Sequence, residues 1–192
     1  MNNIQYFLSL TASVLFFACS ALKNNSTNEP SKILANIDLI DIKDDKVQIS
    51  VSPSRVENDE IIFYIPQIVP GTYEYSNFGR FIENLKAFDK KGNLLPVESL
   101  DNNSWRIYKA KKLSKLTYMA NDTFDGPDGG NEIYPMGGTN FKENDTFLLN
   151  LHSMIGYFEG MKEIPYQLSI VSPKKLKSFS SLPSISQSDS LD

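Results

Sequence analysis

From residue 33 onward, apolar and polar side chains alternate in short runs. Ile37 and Leu39 flank Asp38, and Val47, Ile49 and Val51 alternate with Gln48, Ser50 and Ser52. Lys43-Asp44-Asp45-Lys46 lies between them as a polar turn, so the period of two predicts a hairpin. Residues 60–65 (EIIFYI) form an unbroken β-branched and aromatic run ended by Pro66, the pattern of a buried strand. Residues 82–89, the Lys91-Gly92-Asn93 turn and residues 94–97 predict a second hairpin. Residues 105–108, 116–120, 147–151 and 166–171 read as further strands. No segment sustains apolar residues at helical spacing over three turns. Many short strands separated by turn signals predict an all-β, sandwich-like antiparallel domain with long irregular loops, over residues 33–177.

Two stretches break the alternation. Residues 121–140 contain Gly126, Pro127, Gly129, Gly130, Pro135, Gly137 and Gly138, which predicts a long loop or lobe. Residues 178–192 hold seven serines and few apolar side chains. Such a tail cannot bury enough surface to offset the entropy of ordering, so it is expected to be disordered.

The first eighteen residues differ again: they carry no charged side chain, and residues 4–18 are mostly apolar. A bilayer-spanning helix needs about 20 apolar residues, and here a polar stretch, residues 23–32, follows a shorter run. This predicts a signal peptide over residues 1–18, although its start lacks Lys and Arg. Cys19 is the single cysteine, which excludes an internal disulfide. Leu15-Phe16-Phe17-Ala18-Cys19 resembles a bacterial lipobox, in which the cysteine thiol takes a diacylglycerol group. Ala18 fits that pattern; Phe16 and Phe17 are bulkier than usual. The expectation is a lipidated Cys19, a flexible tether over residues 19–32, and an exported protein of the cell envelope, held to a membrane by its lipid or free in the periplasm. The alternative is that Cys19 leaves with the cleaved peptide.

The net charge of −4, with basic residues no denser than Lys174, Lys175 and Lys177, offers no basic face for nucleic acid. His152 is the single histidine, so an H-E-x-x-H zinc site cannot form, and a Ser or Cys nucleophile would have only this one imidazole as base. His152 therefore reads as a strand-end residue bonded to the backbone. Asp44/Asp45 and Asp59/Glu60 fall in polar turns and read as solvated. Asp122, Asp125, Asp128 and Glu132 offer oxygen donors but depart from the calcium-loop pattern, and a solvated loop is the preferred reading. No catalytic residue, metal or cofactor is expected. The loop 70–81 stands out, with Tyr73, Tyr75, Phe78 and Phe81 close together, as do Tyr157 and Phe158 in a second turn-rich stretch. These rings either close the core or form a surface, and Tyr73, Tyr75, Phe78, Tyr157 and Phe158 are the candidates for an interdomain or binding surface.

The run Phe63-Tyr64-Ile65-Pro66 through Val69-Pro70-Gly71-Thr72-Tyr73, then Phe78-Gly79-Arg80-Phe81, resembles the N-terminal domain of the glycyl aminopeptidase family, PDZ-containing zinc metallopeptidases of the gluzincin group. Similarity continues through Ala87-Phe88-Asp89-Lys90-Lys91-Gly92, Leu95-Pro96-Val97, Asn103-Ser104-Trp105 and Gly156-Tyr157-Phe158-Glu159-Gly160, covering about residues 33–183. The resemblance implies a β-sandwich-like domain that precedes a thermolysin-like catalytic domain and a PDZ domain. It places the zinc ligands and general base outside this chain, so no catalytic residue carries over. The implied role is a non-catalytic N-terminal domain of an exported zinc aminopeptidase, not an enzyme itself, packed beside a catalytic domain missing from this chain, in a truncated or split protein. A separately encoded catalytic domain is then the expected partner. The alternative is a free-standing, surface-anchored binding module that uses its aromatic loops.

Overall fold

Period-two alternation puts Ile33, Ala35, Ile37 and Leu39 on one buried face, and Val47, Ile49 and Val51 on the same face of the next strand. Asp44 and Asp45 between them both adopt φ of 53°, as a two-residue hairpin turn with two left-handed residues requires. The computed structural model describes residues 31–183, apart from residues 70, 73, 125–132, 135 and 144 and the side chain of Lys43.

The described residues form twelve strands. They are β1 (Ile33–Lys43), β2 (Lys46–Ser52), β3 (Glu60–Tyr64), β4 (Ile82–Asp89), β5 (Leu94–Leu95) and β6 (Val97–Asp101). β7 (Ser104–Tyr108), β8 (Leu113–Asn121), β9 (Asn140–Lys142), β10 (Thr146–Leu148), β11 (Tyr157–Phe158) and β12 (Tyr166–Val171) follow. Six strands form one sheet in the order β12-β1-β2-β8-β4-β5, and four form a second in the order β11-β3-β7-β6. β9 and β10 make a separate ribbon. The protein is an all-β sandwich, and its inward faces meet through aromatic rings. Phe63 on β3 lies 5.8 Å from Tyr118 on β8 and 5.1 Å from Phe158 on β11. The buried Tyr118 hydroxyl donates to the Met154 carbonyl at 2.9 Å, and burial holds its pKa far above the ordinary phenol value.

Three details differ from the sequence expectation. β12 pairs with β1 in parallel, from Ile33↔Tyr166 to Asp38↔Val171, so the sandwich is not wholly antiparallel. The chain reaches β12 after crossing from the other sheet at β11, a return that hairpin logic does not foresee. Residues 94–97 do not form one return strand: Pro96 ends β5, and Val97 begins β6 in the opposite sheet. Proline has no N–H for a ladder, so the chain changes sheets there. The strand expected over residues 147–151 stops at Leu148, and Leu151–Ser153 is a 3-10 turn. The expected signal peptide, Cys19 and all but residues 31 and 32 of the expected tether lie outside the described residues. The expected disordered tail lies outside them from residue 184; residues 178–183 carry no regular element.

Candidate docking surface

Two loops are fixed by buried hydrogen bonds. The first leaves β3 at Pro66 and returns at Phe78, with Asn77 N–H donating to the Gln67 carbonyl at 3.0 Å and Phe78 N–H to the Pro66 carbonyl at 3.3 Å. Its ends are thus closed on one another, as in an Ω-loop. Asn77 holds a left-handed φ of 50°, and its side-chain oxygen accepts from Asn103 Nδ2 at 3.1 Å. Asn103 Oδ1 in turn accepts from the Gly79 N–H at 3.0 Å. Gly79 sits so close to the 101–104 turn that a Cβ would lie 2.0 Å from the Asn102 carbonyl oxygen.

The second loop enters β9. Thr123 Oγ1 donates to the Thr139 carbonyl at 3.0 Å and Thr139 N–H donates back to that hydroxyl at 2.9 Å. Asn150 Nδ2 donates to the Met136 carbonyl at 3.1 Å, and His152 Nε2 to the Gly137 carbonyl at 3.0 Å. The His152 ring meets the Phe78 ring edge-on at 5.7 Å, which joins the two loops. On these supports Tyr75 is 70% exposed and Met136 76% exposed, and Ile68 and Tyr134 are also exposed. Large apolar side chains exposed beside hydrogen-bonded loop ends are candidates for a contact site.

A second feature adjoins the first loop. Tyr64 and Tyr157, opposite each other on β3 and β11, stack at 5.3 Å and 25° on the outer face of the smaller sheet. Lys162 Nζ stands 5.0 Å from the Tyr157 ring, a cation–π arrangement. These rings, with Gln67, Ile68, Asp101 and Lys162, line an open cleft of about 570 Å³. Burial, and then the Glu159 carboxylate, raise the Tyr64 phenol above its ordinary pKa.

Of the five aromatic candidates from the sequence, the structure exposes Tyr75 and half-buries Tyr157. Phe78 and Phe158 are corrected: both are 0% exposed, Phe78 beneath its loop against His152 and Phe158 against Phe63, so they hold the surface up without being part of it. Tyr73 and Cys19 lie outside the described residues. The Asp122 carboxylate is buried and accepts from the Phe124 and Phe141 N–H groups, each at 2.6 Å, which commits it to the backbone. Asp125, Asp128 and Glu132 lie outside the described residues. His152 bonds to the backbone as expected, but from the Leu151–Ser153 3-10 turn and not from a strand end, since β10 stops at Leu148. Tyr134, Met136 and Tyr64 were not singled out by sequence reasoning; Tyr134 and Met136 flank Pro135 and precede Gly137, where a large apolar residue has no strand face to bury, and Tyr64 sits on the outer face of β3.

Residues 35–192 match the model of the Peptidase M61 N-terminal domain. The chain belongs to the M61 peptidase family. This is the family position that the block of motifs from Phe63 to Phe81 implied. Among solved structures, an aminopeptidase N family protein from Idiomarina loihiensis shares the fold, with a TM-score of 0.61 and 22% identity over 73% of this chain. The matched region spans 22% of that protein's length. No curated protein matches the sequence. Among the described residues, the loop surface and the tyrosine cleft are two of the features that face outward with something to offer a partner.

Proposed function

We propose that residues 35–192 are a non-catalytic N-terminal module of an exported M61 peptidase, which packs beside the family's catalytic domain. The observation that supports it most is the match to the N-terminal part of the family over residues 35–192. The residue inventory agrees: the single imidazole, His152, is engaged with the Gly137 carbonyl and the Phe78 ring, and serves the loop. The surface offered to the catalytic domain is the pair of loops bearing Ile68, Tyr75, Tyr134 and Met136. Contacts between domains bury on the order of 600–1,500 Å², and preformed loops lose little entropy when they dock. Cys19 is the proposed lipid anchor, with residues 19–32 as the tether.

Two measurements test this reading. The purified chain is expected neither to hydrolyse glycyl or alanyl aminoacyl substrates nor to retain zinc, because one imidazole without further ligands makes a weak site. One tightly bound zinc per chain by metal analysis overturns the non-catalytic role. Intact mass of the mature protein is expected to show a diacylglyceryl group on Cys19, with Cys19→Ser releasing the protein from the membrane fraction. A mature N-terminus downstream of Cys19 rules out the anchor.

The tyrosine cleft favours a second reading, a surface-anchored binding module. Stacked rings beside Gln67, Asp101 and Lys162 suit a small ligand with a flat face and polar edges. This reading predicts a binding partner unrelated to peptidases, and loss of that binding in Tyr157→Ala.

A further inference from the structure

β12 is an unusual strand. Parallel strands are normally covered on both faces, yet five of its six residues are exposed, including Tyr166, Ile170 and Val171. β12 is also the edge of its sheet: among the described residues nothing pairs with its other side. Natural edge strands are blunted by Lys, Pro, bulges or covering loops. The sequence Tyr166-Gln167-Leu168-Ser169-Ile170-Val171 has none of the charged or proline residues that do this.

The hydrogen-bonding register decides what can pair there. Ile33 N–H donates to the Pro165 carbonyl at 2.9 Å, with Ile33 opposite Tyr166. Backbone groups alternate sides along a strand. Residues 165, 167, 169 and 171 therefore direct theirs toward β1, and Tyr166, Leu168 and Ile170 direct theirs to the open edge. The same three residues share the sheet face that carries Ile33, Ala35 and Ile37, and Leu168 packs partly against the core. A strand added here must match its own outward groups with those three.

We propose that the open edge of β12 is a homodimer interface, in which two copies pair antiparallel about a two-fold axis through Leu168. Leu168 then faces Leu168 of the second copy, and Tyr166 faces Ile170 in both directions. Every pair joins outward backbone groups to outward backbone groups, and the apolar faces of the two sheets become continuous. An aromatic side chain opposite a β-branched one is a favourable cross-strand pair. No charge is buried within the strand. Beyond it, the exposed Glu163 arrives level with Pro173 of the other copy, one residue from Lys174 and two from Lys175, so the ends are complementary in sign. Lys162, which would otherwise oppose Lys174, is drawn away over the Tyr157 ring.

Sedimentation equilibrium of the chain carrying Cys19→Ser tests this, together with engineered cysteines. A reversible dimer is expected, and Ile170→Lys should weaken it at least tenfold while near-UV circular dichroism stays unchanged. Leu168→Cys should cross-link two copies under mild oxidation, since opposed residues of a hydrogen-bonded pair lie about 5.5 Å apart. Ser169→Cys should not, because it faces Gln167 of the other copy. If Leu168→Cys disturbs folding, the sedimentation result on Ile170→Lys still decides. A chain that stays monomeric at high concentration overturns the proposal and leaves the edge to a peptidase domain. A dimer indifferent to Ile170→Lys, or cross-linked at residue 169 and not at 168, overturns it as well.

Discussion

Replacing Gly79 with alanine adds one methyl group at the base of the first loop. Gly79 does not have a positive φ, so alanine meets no backbone penalty there and the whole effect is steric. The new Cβ would stand 2.0 Å from the Asn102 carbonyl oxygen and 2.7 Å from the Asn103 Cα, both backbone atoms that no rotamer change can move. Either the 101–104 turn or the 78–81 turn must shift. Overpacking of this kind typically costs about 1–3 kcal/mol. The shift also pulls apart the Gly79 N–H and Asn103 Oδ1 pair, 3.0 Å long and buried, and a buried polar group left unpaired costs about 1–3 kcal/mol more. Gly79→Ala is therefore expected to destabilise by about 2–6 kcal/mol. Urea unfolding followed by fluorescence is suited to the measurement, because Trp105 is the single tryptophan and is buried. With a slope of about 1–3 kcal/mol per molar urea, the midpoint should fall by at least about 0.7 M. A midpoint within about 0.3 M of the parent's refutes the reasoning, since it would mean that the two turns separate freely. Gly92→Ala is the control for alanine in open space, although its φ of 82° adds a backbone cost of its own.

Phe158→Ala should lose about 3–5 kcal/mol, as expected for a fully buried ring, and Tyr75→Ser should stay within about 0.5 kcal/mol; equal losses in urea would mean that the loop surface is misplaced. Glu83 binds Lys46 at 2.8 Å, and this bond first, with the Asn121 amide helping, lowers its pKa. A lowered folded pKa gives stability that is present above the unfolded value of about 4.3 and is lost as pH falls through the folded value. Glu83→Gln should flatten that acid loss, by less than about 1 kcal/mol because the pair is partly exposed; unchanged unfolding curves between pH 5 and 3 would remove the pair from the account.

Much of the fold was legible in the residues. Strict alternation at Val47, Ile49 and Val51, and the Asp44-Asp45 turn, dictated the first hairpin because a slip of one residue would expose every apolar side chain. Pro96 was a visible signal that was not used: it marked the change of sheet. The parallel partner of β12 was not legible, since a strand exposed on both faces leaves no imprint of its neighbour in its own pattern. Aromatic candidates divided for a similar reason. Phe78, Phe158 and Tyr75 all sit in turn-rich sequence, and only tertiary contacts with His152 and Phe63 decide which rings turn inward. Tyr134 and Met136 lie in a stretch rich in Gly and Pro, which has no strand or helix period from which side-chain exposure can be read.

The parallel pairing of β1 and β12 also sets how the domain bears load. Ile33 opens β1 beside Tyr166, and the chain leaves β12 at Val171, beside Asp38. A membrane anchor pulling ahead of β1, and any partner pulling on the chain after β12, would act on opposite ends of one paired ladder. Force applied that way slides the strands along each other and strains all six registered positions together. An antiparallel closure would instead present both pulling points at one end and open pair by pair. With the proposed anchor ahead of β1, the entry and exit of the domain would be joined through a clasp loaded in shear rather than one that peels.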